Sequence, residues 1–119
     1  KEESTRREEK MKTITVYFIL FMVSLSVVFG GEIYGTIKEN GRPIRAGVRV
    51  QILINNKSQD TNTDDKGFYS INLTKIGKGE LIVHYANQTP SHPIYSSSTS
   101  VRYDFALVKE KGKYILKRE

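Results

Sequence analysis

Apolar and polar residues alternate along short segments from Glu32 onward, a period of two typical of β-strands with one buried face. In the first segment the alternation predicts that Ile33, Gly35 and Ile37 share the buried face. Residues 59–63 are more polar, which favours a strand at the edge of a sheet. The remaining residues predicted to point inward are Val48, Val50, Ile52, Ile54, Tyr69, Ile71, Leu73, Leu81, Val83, Tyr85, Val101, Tyr103, Phe105 and Leu107.

Turn signals separate these segments. Asn40-Gly41 is a tight-turn pair because both residues tolerate positive φ, and residues 64–67 and 111–113 have similar turn compositions. Beyond position 31, no run of ten residues shows the period of a helix. The strand spacing predicts an all-β fold, a β-sandwich of seven to eight strands. The proline-containing segment 87–93 is expected to be a loop, and the serine-rich segment 96–100 is expected to be an edge strand or a loop.

The first thirty residues have a different composition from the rest. Residues 1–10 are nearly all charged or polar, and an apolar run over 14–29 ends at the small residue Gly30. This order is typical of a secretory signal peptide, an apolar helix removed after export, and we expect Met11 to be the true start. An uncleaved membrane anchor is the alternative, although the run is shorter than the ~20 residues of a typical span. Both interpretations export the remainder of the chain.

Two stretches of the exported part carry a recognisable motif. Gly35-Thr36-Ile37 precedes the sequences GRPI at 41–44 and AGVRV at 46–50, and residues 61–71 read TNTDDKGFYSI. These stretches resemble the carboxypeptidase regulatory-like domains, a transthyretin-like β-sandwich family with the patterns G-x-V, G-x-P-I/L and T-x-T-D-x-x-G-x-Y/F-x-I. The similarity covers residues 32–108. Its main carriers are Gly41, Pro43, Ala46, Gly47, Thr63, Asp64, Gly67 and Tyr69.

The resemblance implies a seven- to eight-stranded antiparallel Greek-key β-sandwich at 31–108, between a signal region at 1–30 and a basic C-terminal hairpin or tail at 109–119. In that family the domain accompanies catalytic or transport domains as an accessory. The motif residues have scaffold roles: Gly67 allows a backbone conformation that a Cβ hinders, and Asp64 accepts hydrogen bonds from turn amides. The motif therefore indicates a fold and does not indicate an activity.

The composition offers little catalytic chemistry. The chain has no cysteine, which excludes a disulfide, a thiolate zinc site and a cysteine nucleophile. Of the two histidines, His84 is expected on the outward face of a strand and His92 in a loop. Neither has organised carboxylates nearby in sequence, as a metal site or a catalytic triad would need. We therefore expect no enzyme activity, no cofactor and no metal.

Three special chemistries fit the sequence poorly. Asp60-x-Asn62-x-Asp64 has the spacing of the first three ligands of a calcium loop, but its later Gly and Glu positions are not filled. An isopeptide bond would need Lys38 and Asp104 in the core, whereas the strand alternation turns both outward. Hydroxyisourate hydrolase, a transthyretin-like enzyme, ends in Y-R-G-S, whereas this chain ends in YILKRE.

Charge and aromatic residues indicate possible partners. The formal net charge is +6, and residues 109–119 alone carry five cations against two glutamates. For an exported protein, such a charge favours envelope polymers or lipid headgroups over nucleic acid. Tyr34, Tyr85, Tyr95 and Tyr114 are candidates for a weak sugar-stacking surface, although tyrosines in sheets more often serve in packing.

We expect a non-enzymatic, exported β-sandwich module, periplasmic or extracellular, with a structural or protein-interaction role in the cell envelope. A carbohydrate-binding module is the alternative. The expected partner is an envelope or cell-surface protein, or a polysaccharide, with membrane contact only through an uncleaved signal segment. A carbohydrate-binding function predicts aromatic residues aligned on one face. A protein partner predicts a free strand edge or an exposed apolar patch.

Overall fold

The computed structural model describes residues 30–119, so the predicted signal region lies almost wholly outside the described residues. This part consists of strands and turns, without a helix that could cross a membrane. The predicted all-β class is therefore confirmed. The strands are β1 (Glu32–Glu39), β2 (Arg42–Pro43), β3 (Arg49–Ile54), β4 (Lys57–Asn62), β5 (Phe68–Asn72), β6 (Gly77–His84), β7 (Ser91–Ser96), β8 (Val101–Arg102), β9 (Phe105–Glu110) and β10 (Lys113–Arg118).

The strands form two sheets. One sheet has four strands in the order β4-β3-β6-β7, and all of its pairings are antiparallel. The other has six strands around β1, which pairs antiparallel with β2 and β5 but parallel with β8 and β9. The expectation of a wholly antiparallel sandwich is therefore wrong for this second sheet. Sequence alternation shows which face is buried, but it does not show the relative direction of strands that are distant in sequence.

The apolar faces of the two sheets pack against each other. Ile37, Val50, Val83 and Phe105 are each 0% exposed, and burial of such side chains contributes roughly 1.5–3 kcal/mol each. The predicted inward residues are confirmed throughout, except that Tyr85 and Val101 are only partly buried. Two buried hydrophobic residues were missing from the sequence prediction: Ile94, in β7, and Leu116, in β10.

The strand predicted over residues 101–107 is divided in two. β8 ends at Arg102 and β9 begins at Phe105, and both pieces pair with β1. Val101 lies opposite Ile33 and Phe105 lies opposite Ile37, so both strands advance by four residues across the break. Because the register is kept, the alternation of buried residues continues through the break, and the sequence pattern could not reveal it.

Asp104 completes the hydrogen bonding at this break. Its Oδ1 accepts a hydrogen bond from the backbone N–H of Thr36 at 2.8 Å and another from the Thr36 hydroxyl at 3.1 Å. Its Oδ2 lies 2.8 Å from Nε of Arg102. Partial burial acts to raise the pKa of Asp104, but the hydrogen bonds from Thr36 and Arg102 outweigh it, so this pKa lies below its ordinary value.

Asp104→Ala is expected to destabilise the fold in a pH-dependent way. At pH 7 the variant leaves the Thr36 N–H without its acceptor, and the free energy of unfolding should fall by about 2 kcal/mol. Because the pKa of Asp104 is lower in the folded state, its stabilisation is fully present at pH values above the unfolded-state pKa and is lost as the pH falls through the folded-state pKa. The difference in free energy of unfolding between the variant and the unaltered chain should therefore narrow below about pH 4. Urea unfolding followed by circular dichroism at pH 7 and pH 3 measures it.

The matched control is Asp60→Ala, since Asp60 forms an exposed ion pair with Arg49 at 2.7 Å. Exposed pairs contribute about 0–1 kcal/mol. Equal losses in the two variants, or a loss at Asp104 that stays the same at both pH values, would contradict the assigned role of the Asp104 carboxylate.

β7 lies where the sequence predicted a loop. Ser91–Ser96 pairs antiparallel with β6, and Pro93 lies opposite Glu80. Proline is tolerated because β7 is an edge strand, where a missing N–H need not break a ladder. The placement of His92 in a loop was therefore wrong. With β7, the two-residue β2 and the divided late strand, the described residues form ten strands where the sequence predicted seven or eight.

Candidate functional site

Three loops meet at one end of the two sheets: residues 40–48, residues 85–90 and the turn between β9 and β10. The β9–β10 turn reaches this end because β9 runs parallel to β1. Gln88 connects two of the loops, since its Nε2 donates to the carbonyl of Gly112 at 3.0 Å and its Oε1 accepts from the N–H of Tyr114 at 2.8 Å. We call this region the loop end, defined as residues 39–45, 84–89 and 109–114.

Thr63 holds the first of these loops in place. Its buried hydroxyl donates to the carbonyl of Arg45 at 2.8 Å and accepts from the N–H of Val48 at 3.0 Å. The chain between these two points turns through exposed Ala46 and through Gly47, which has a φ of 84°. The motif residues Thr63, Ala46 and Gly47 therefore fix the backbone from which the Arg45 side chain extends.

Two further motif residues, Asp64 and Gly67, lie in the turn between β4 and β5, which packs against the same loop. Asp64 Oδ1 accepts hydrogen bonds from the N–H groups of Lys66 and Phe68, each at 2.9 Å. Gly67 has a φ of 71° and lies so close to β1 that a Cβ there would be 2.6 Å from the carbonyl oxygen of Ile37. At the opposite side of the loop, Gly41 has a φ of 76° and Pro43 lies in β2.

Two of the four candidate tyrosines meet at the loop end. The rings of Tyr85 and Tyr114 pack edge to face with centroids 5.2 Å apart. Arg45 Cζ lies 5.4 Å from the centroid of Tyr85, and Lys109 Nζ lies 5.6 Å from that of Tyr114, both within the range of cation–π contact. Each ring thus positions one cation.

Glu39 lies beside this aromatic pair. The hydroxyl of Tyr85 is 3.4 Å from Oε1 of Glu39. Partial desolvation, followed by the nearby Glu39 carboxylate, raises the pKa of the Tyr114 phenol above its ordinary value. The Tyr114 phenol is therefore neutral at physiological pH, and Glu39 is the acidic group beside the aromatic pair.

Two open clefts lie side by side at the loop end. The first, about 470 Å³, is bordered by Glu39, Arg42 and residues 43–45. The second, about 440 Å³, is bordered by His84 and residues 86–89. Arg45 and Tyr85 border both, so the two clefts form one continuous surface divided by these side chains. The volumes lie within the range of small-molecule sites.

The loop end is basic. Its one other acidic residue besides Glu39, Glu110, forms an ion pair with Lys117 at 3.1 Å. The other ion pairs found in residues 30–119 are Arg49–Asp60 and Arg102–Asp104. None of the loop-end cations takes part in an ion pair within this part of the chain; they are Arg42, Arg45, Lys109, Lys111 and Lys113.

The remaining two candidate tyrosines lie elsewhere. Tyr34 is on the outer face of the six-stranded sheet, 6.4 Å from the ring of Phe68 and 5.9 Å from Cζ of Arg102. Tyr95 is 52% exposed on the edge strand β7. The four tyrosines, which were candidates for one sugar-stacking surface, therefore do not lie together.

The histidines lie on neighbouring strands and have separate partners. His84 Nε2 is 2.8 Å from Oε1 of Gln51, and His92 Nδ1 is 2.7 Å from the carbonyl of Pro93. The His92 ring also packs 5.3 Å from Phe105. Within residues 30–119, no three His, Asp or Glu side chains gather in a group that could hold a metal ion.

Sequence reasoning missed Arg45, the side chain shared by the two clefts. Arg45 lies within the family motif but at a position that the motif leaves variable, and no spacing pattern links it to Tyr85. The one available signal was the basic charge, but in the sequence the excess of positive charge is concentrated in residues 109–119. In the structure, Arg42 and Arg45 belong to the same basic region as this segment, because the three loops converge.

Comparison with known proteins supports the architecture. No family model matches the chain, and no curated protein matches it. Among solved structures, the chain is similar to a candidate carbohydrate binding protein from Bacteroides uniformis, with a TM-score of 0.50 and 16% identity; the match covers 64% of this chain and 40% of the other. A DUF3823 family protein from Parabacteroides merdae matches with a TM-score of 0.50, 16% identity and coverage of 71% and 51%.

A third similar structure is the Bacillus anthracis TIE protein, with a TM-score of 0.54, 14% identity and coverage of 66% of this chain and 16% of that protein. The chain thus spans about half or less of each of these proteins. At such identities the likeness concerns the fold alone. The chain is accordingly a two-sheet β-domain of a kind found within larger proteins.

Proposed function

We propose that this chain is a non-enzymatic, exported β-sandwich module of the carboxypeptidase regulatory-like type, with an interaction role in the cell envelope, and that the loop end is its binding surface. Arg45 and Tyr85 carry this proposal, because they stand between two open clefts at the point where three loops converge. Binding residues are commonly placed on loops that a rigid scaffold positions.

The chemistry of the described titratable groups supports a binding role over a catalytic one. Strongly shifted pKa values often mark catalytic sites. Here burial, followed by the nearby Asp104, raises the pKa of Tyr69 far above its ordinary value. Tyr69 is a core residue whose hydroxyl donates to the carbonyl of Tyr103 at 2.6 Å, so its shift reflects packing. His84 and His92, described above, have no carboxylate partner in the described part of the chain.

Export is supported by the sequence. The apolar run at 14–29 follows a basic residue and precedes two glycines, as in secretory signal peptides. A domain that is exported meets envelope proteins and polysaccharides first, and its basic loop end favours anionic surfaces among them.

Carbohydrate binding is the second candidate function. Its support is the edge-to-face pair of Tyr85 and Tyr114 beside two polar clefts. One of the similar structures is itself described as a candidate carbohydrate binding protein. Tyr34 and Tyr95 lie outside this region, so a sugar would be held by the loop end and not by a flat row of aromatic rings.

The test is retention of envelope material by the immobilised chain, with identification of the bound protein or glycan by mass spectrometry. We expect one defined species to be retained by the unaltered chain and by Tyr95→Ala, and to be lost with Tyr85→Ala. Both variants remove a partly exposed tyrosine, but only one lies at the loop end. Circular dichroism confirms that each variant is folded. Equal retention by the two variants, or no retained species, would refute the proposal.

A further inference from the structure

The Arg45 guanidinium is held in a position suited to binding an anion. Its side chain is exposed, borders both clefts and lies 5.4 Å over the Tyr85 ring. Stacking on an aromatic face limits the freedom of a guanidinium group while leaving its N–H donors at the edge free to bind. Within the described residues, the Arg45 guanidinium has no ion pair. A planar, pre-positioned guanidinium matches a carboxylate through two parallel hydrogen bonds.

The cations around Arg45 favour a ligand with repeated negative charges. Arg42 borders the first cleft, and Lys109 is held over Tyr114 on the other side of the aromatic pair. Lys111 and Lys113 extend the basic rim along the β9–β10 turn. A single small anion would use only one of these groups, whereas an extended polyanion would use several.

The uncharged side chains of the clefts favour a ligand that has hydroxyl groups beside its negative charges. Asn40 lies in the first cleft, and Asn87 and Thr89 lie in the second; amides and hydroxyls can donate to and accept from sugar hydroxyls. Glu39 in the first cleft accepts hydrogen bonds from hydroxyls and repels every anionic group, carboxylate as well as phosphate, so the part of a ligand beside Glu39 should carry hydroxyls. A linear polyphosphate has no hydroxyls between its charges, whereas a sugar ring that carries an acidic group has both.

We propose that the loop end binds an acidic polysaccharide whose sugar rings carry carboxylates, with Arg45 binding one carboxylate and the flanking clefts holding the adjoining rings. The openness of the two neighbouring clefts suits a chain that continues beyond them. This assignment rests on the proposed function of the loop end as the binding surface, and it names the class of ligand for that surface.

Affinity electrophoresis tests the assignment with the full chain in a non-ionic detergent. Gels contain polygalacturonate, neutral dextran or inorganic polyphosphate. We expect retardation by polygalacturonate, none by dextran and weaker retardation by polyphosphate. Arg45→Ala should weaken polygalacturonate binding about tenfold or more, because a charge-assisted pair is lost. Arg45→Lys should recover part of the affinity, since it keeps the charge and loses the planar fork.

Lys57→Ala is the matched control, because it removes one exposed positive charge at the opposite end of the sheets. Equal weakening by Arg45→Ala and Lys57→Ala would show non-specific charge attraction and overturn the proposal. Equal, Arg45-dependent binding of polyphosphate would overturn the choice of a carboxylated sugar. If polygalacturonate fails to bind while Tyr85→Ala still abolishes retention of an envelope species, this ligand class is wrong and the proposed function stands.

Discussion

Gly35→Ala is expected to lower the free energy of unfolding by at least about 3 kcal/mol, which is beyond the common cost of overpacking. A Cβ at this position would meet the carbonyl oxygen of Tyr103 and would lie 2.6 Å from the carbonyl carbon and 2.9 Å from Oδ1 of Asp104. The neighbouring atoms are mainly backbone, and the Tyr103 oxygen already accepts a hydrogen bond from Tyr69. The backbone at the break between β8 and β9 therefore cannot move away from β1 without losing its own hydrogen bonds.

Gly41→Ala provides the comparison for this prediction. A Cβ at Gly41 would meet no atom within 4 Å, but φ there is +76°, so the expected cost is about 1 kcal/mol from backbone strain alone. Urea unfolding followed by far-ultraviolet circular dichroism measures both variants. A loss at Gly35 no larger than the loss at Gly41 would show that β8 and β9 do not approach β1 as closely as described.

Phe105→Ala should cost about 3–5 kcal/mol, the usual range for removing a buried aromatic side chain. Phe105 is 0% exposed at the start of β9. Its ring stacks 6.1 Å from Tyr103 and lies 5.3 Å from His92, so it connects the six-stranded sheet with β7 of the other sheet. Domains are stable by only about 5–15 kcal/mol in total. The variant should therefore be largely unfolded at temperatures where the unaltered chain is folded.

Phe68→Ala makes the same chemical change on the outer face of β5. Phe68 is 36% exposed and contacts Tyr34, so we expect a loss of about 1 kcal/mol. Thermal unfolding of the two variants compares them directly. Losses of similar size would mean that Phe105 does not occupy the space between the sheets.

The faces of the strands could be predicted from the sequence because each strand is buried on one side. A shift of one residue would move Val50, Ile52 and Ile54 into solvent together. β7 could not be predicted, since Ser91, His92 and Pro93 have neither alternation nor strand propensity. This strand is held by its pairing with β6 and by its position at the edge of the sheet.

The site was harder to predict than the fold. Tyr85 and Tyr114 were named as candidates from residue type alone, together with two tyrosines that lie elsewhere. Arg45 lies beside Tyr85 because the loops converge at one end of the sheets. This convergence depends on Thr63, which holds the first loop, and on the parallel pairing of β9 with β1. Antiparallel pairing of β9 would carry the β9–β10 turn to the opposite end. Patterns among neighbouring residues do not show whether two strands that are distant in sequence, such as β1 and β9, run parallel or antiparallel.

Amide chemical-shift mapping of the ¹⁵N-labelled chain during titration with short oligogalacturonates would locate the binding surface residue by residue. We expect the perturbed amides to fall in three stretches that are separate in sequence, residues 39–45, 84–89 and 109–114, and we expect the amides of Tyr34 and Tyr95 to stay unchanged. Perturbation centred on the outer face around Tyr34 and Phe68, or changes confined to a single stretch, would contradict a binding surface formed where the three loops meet.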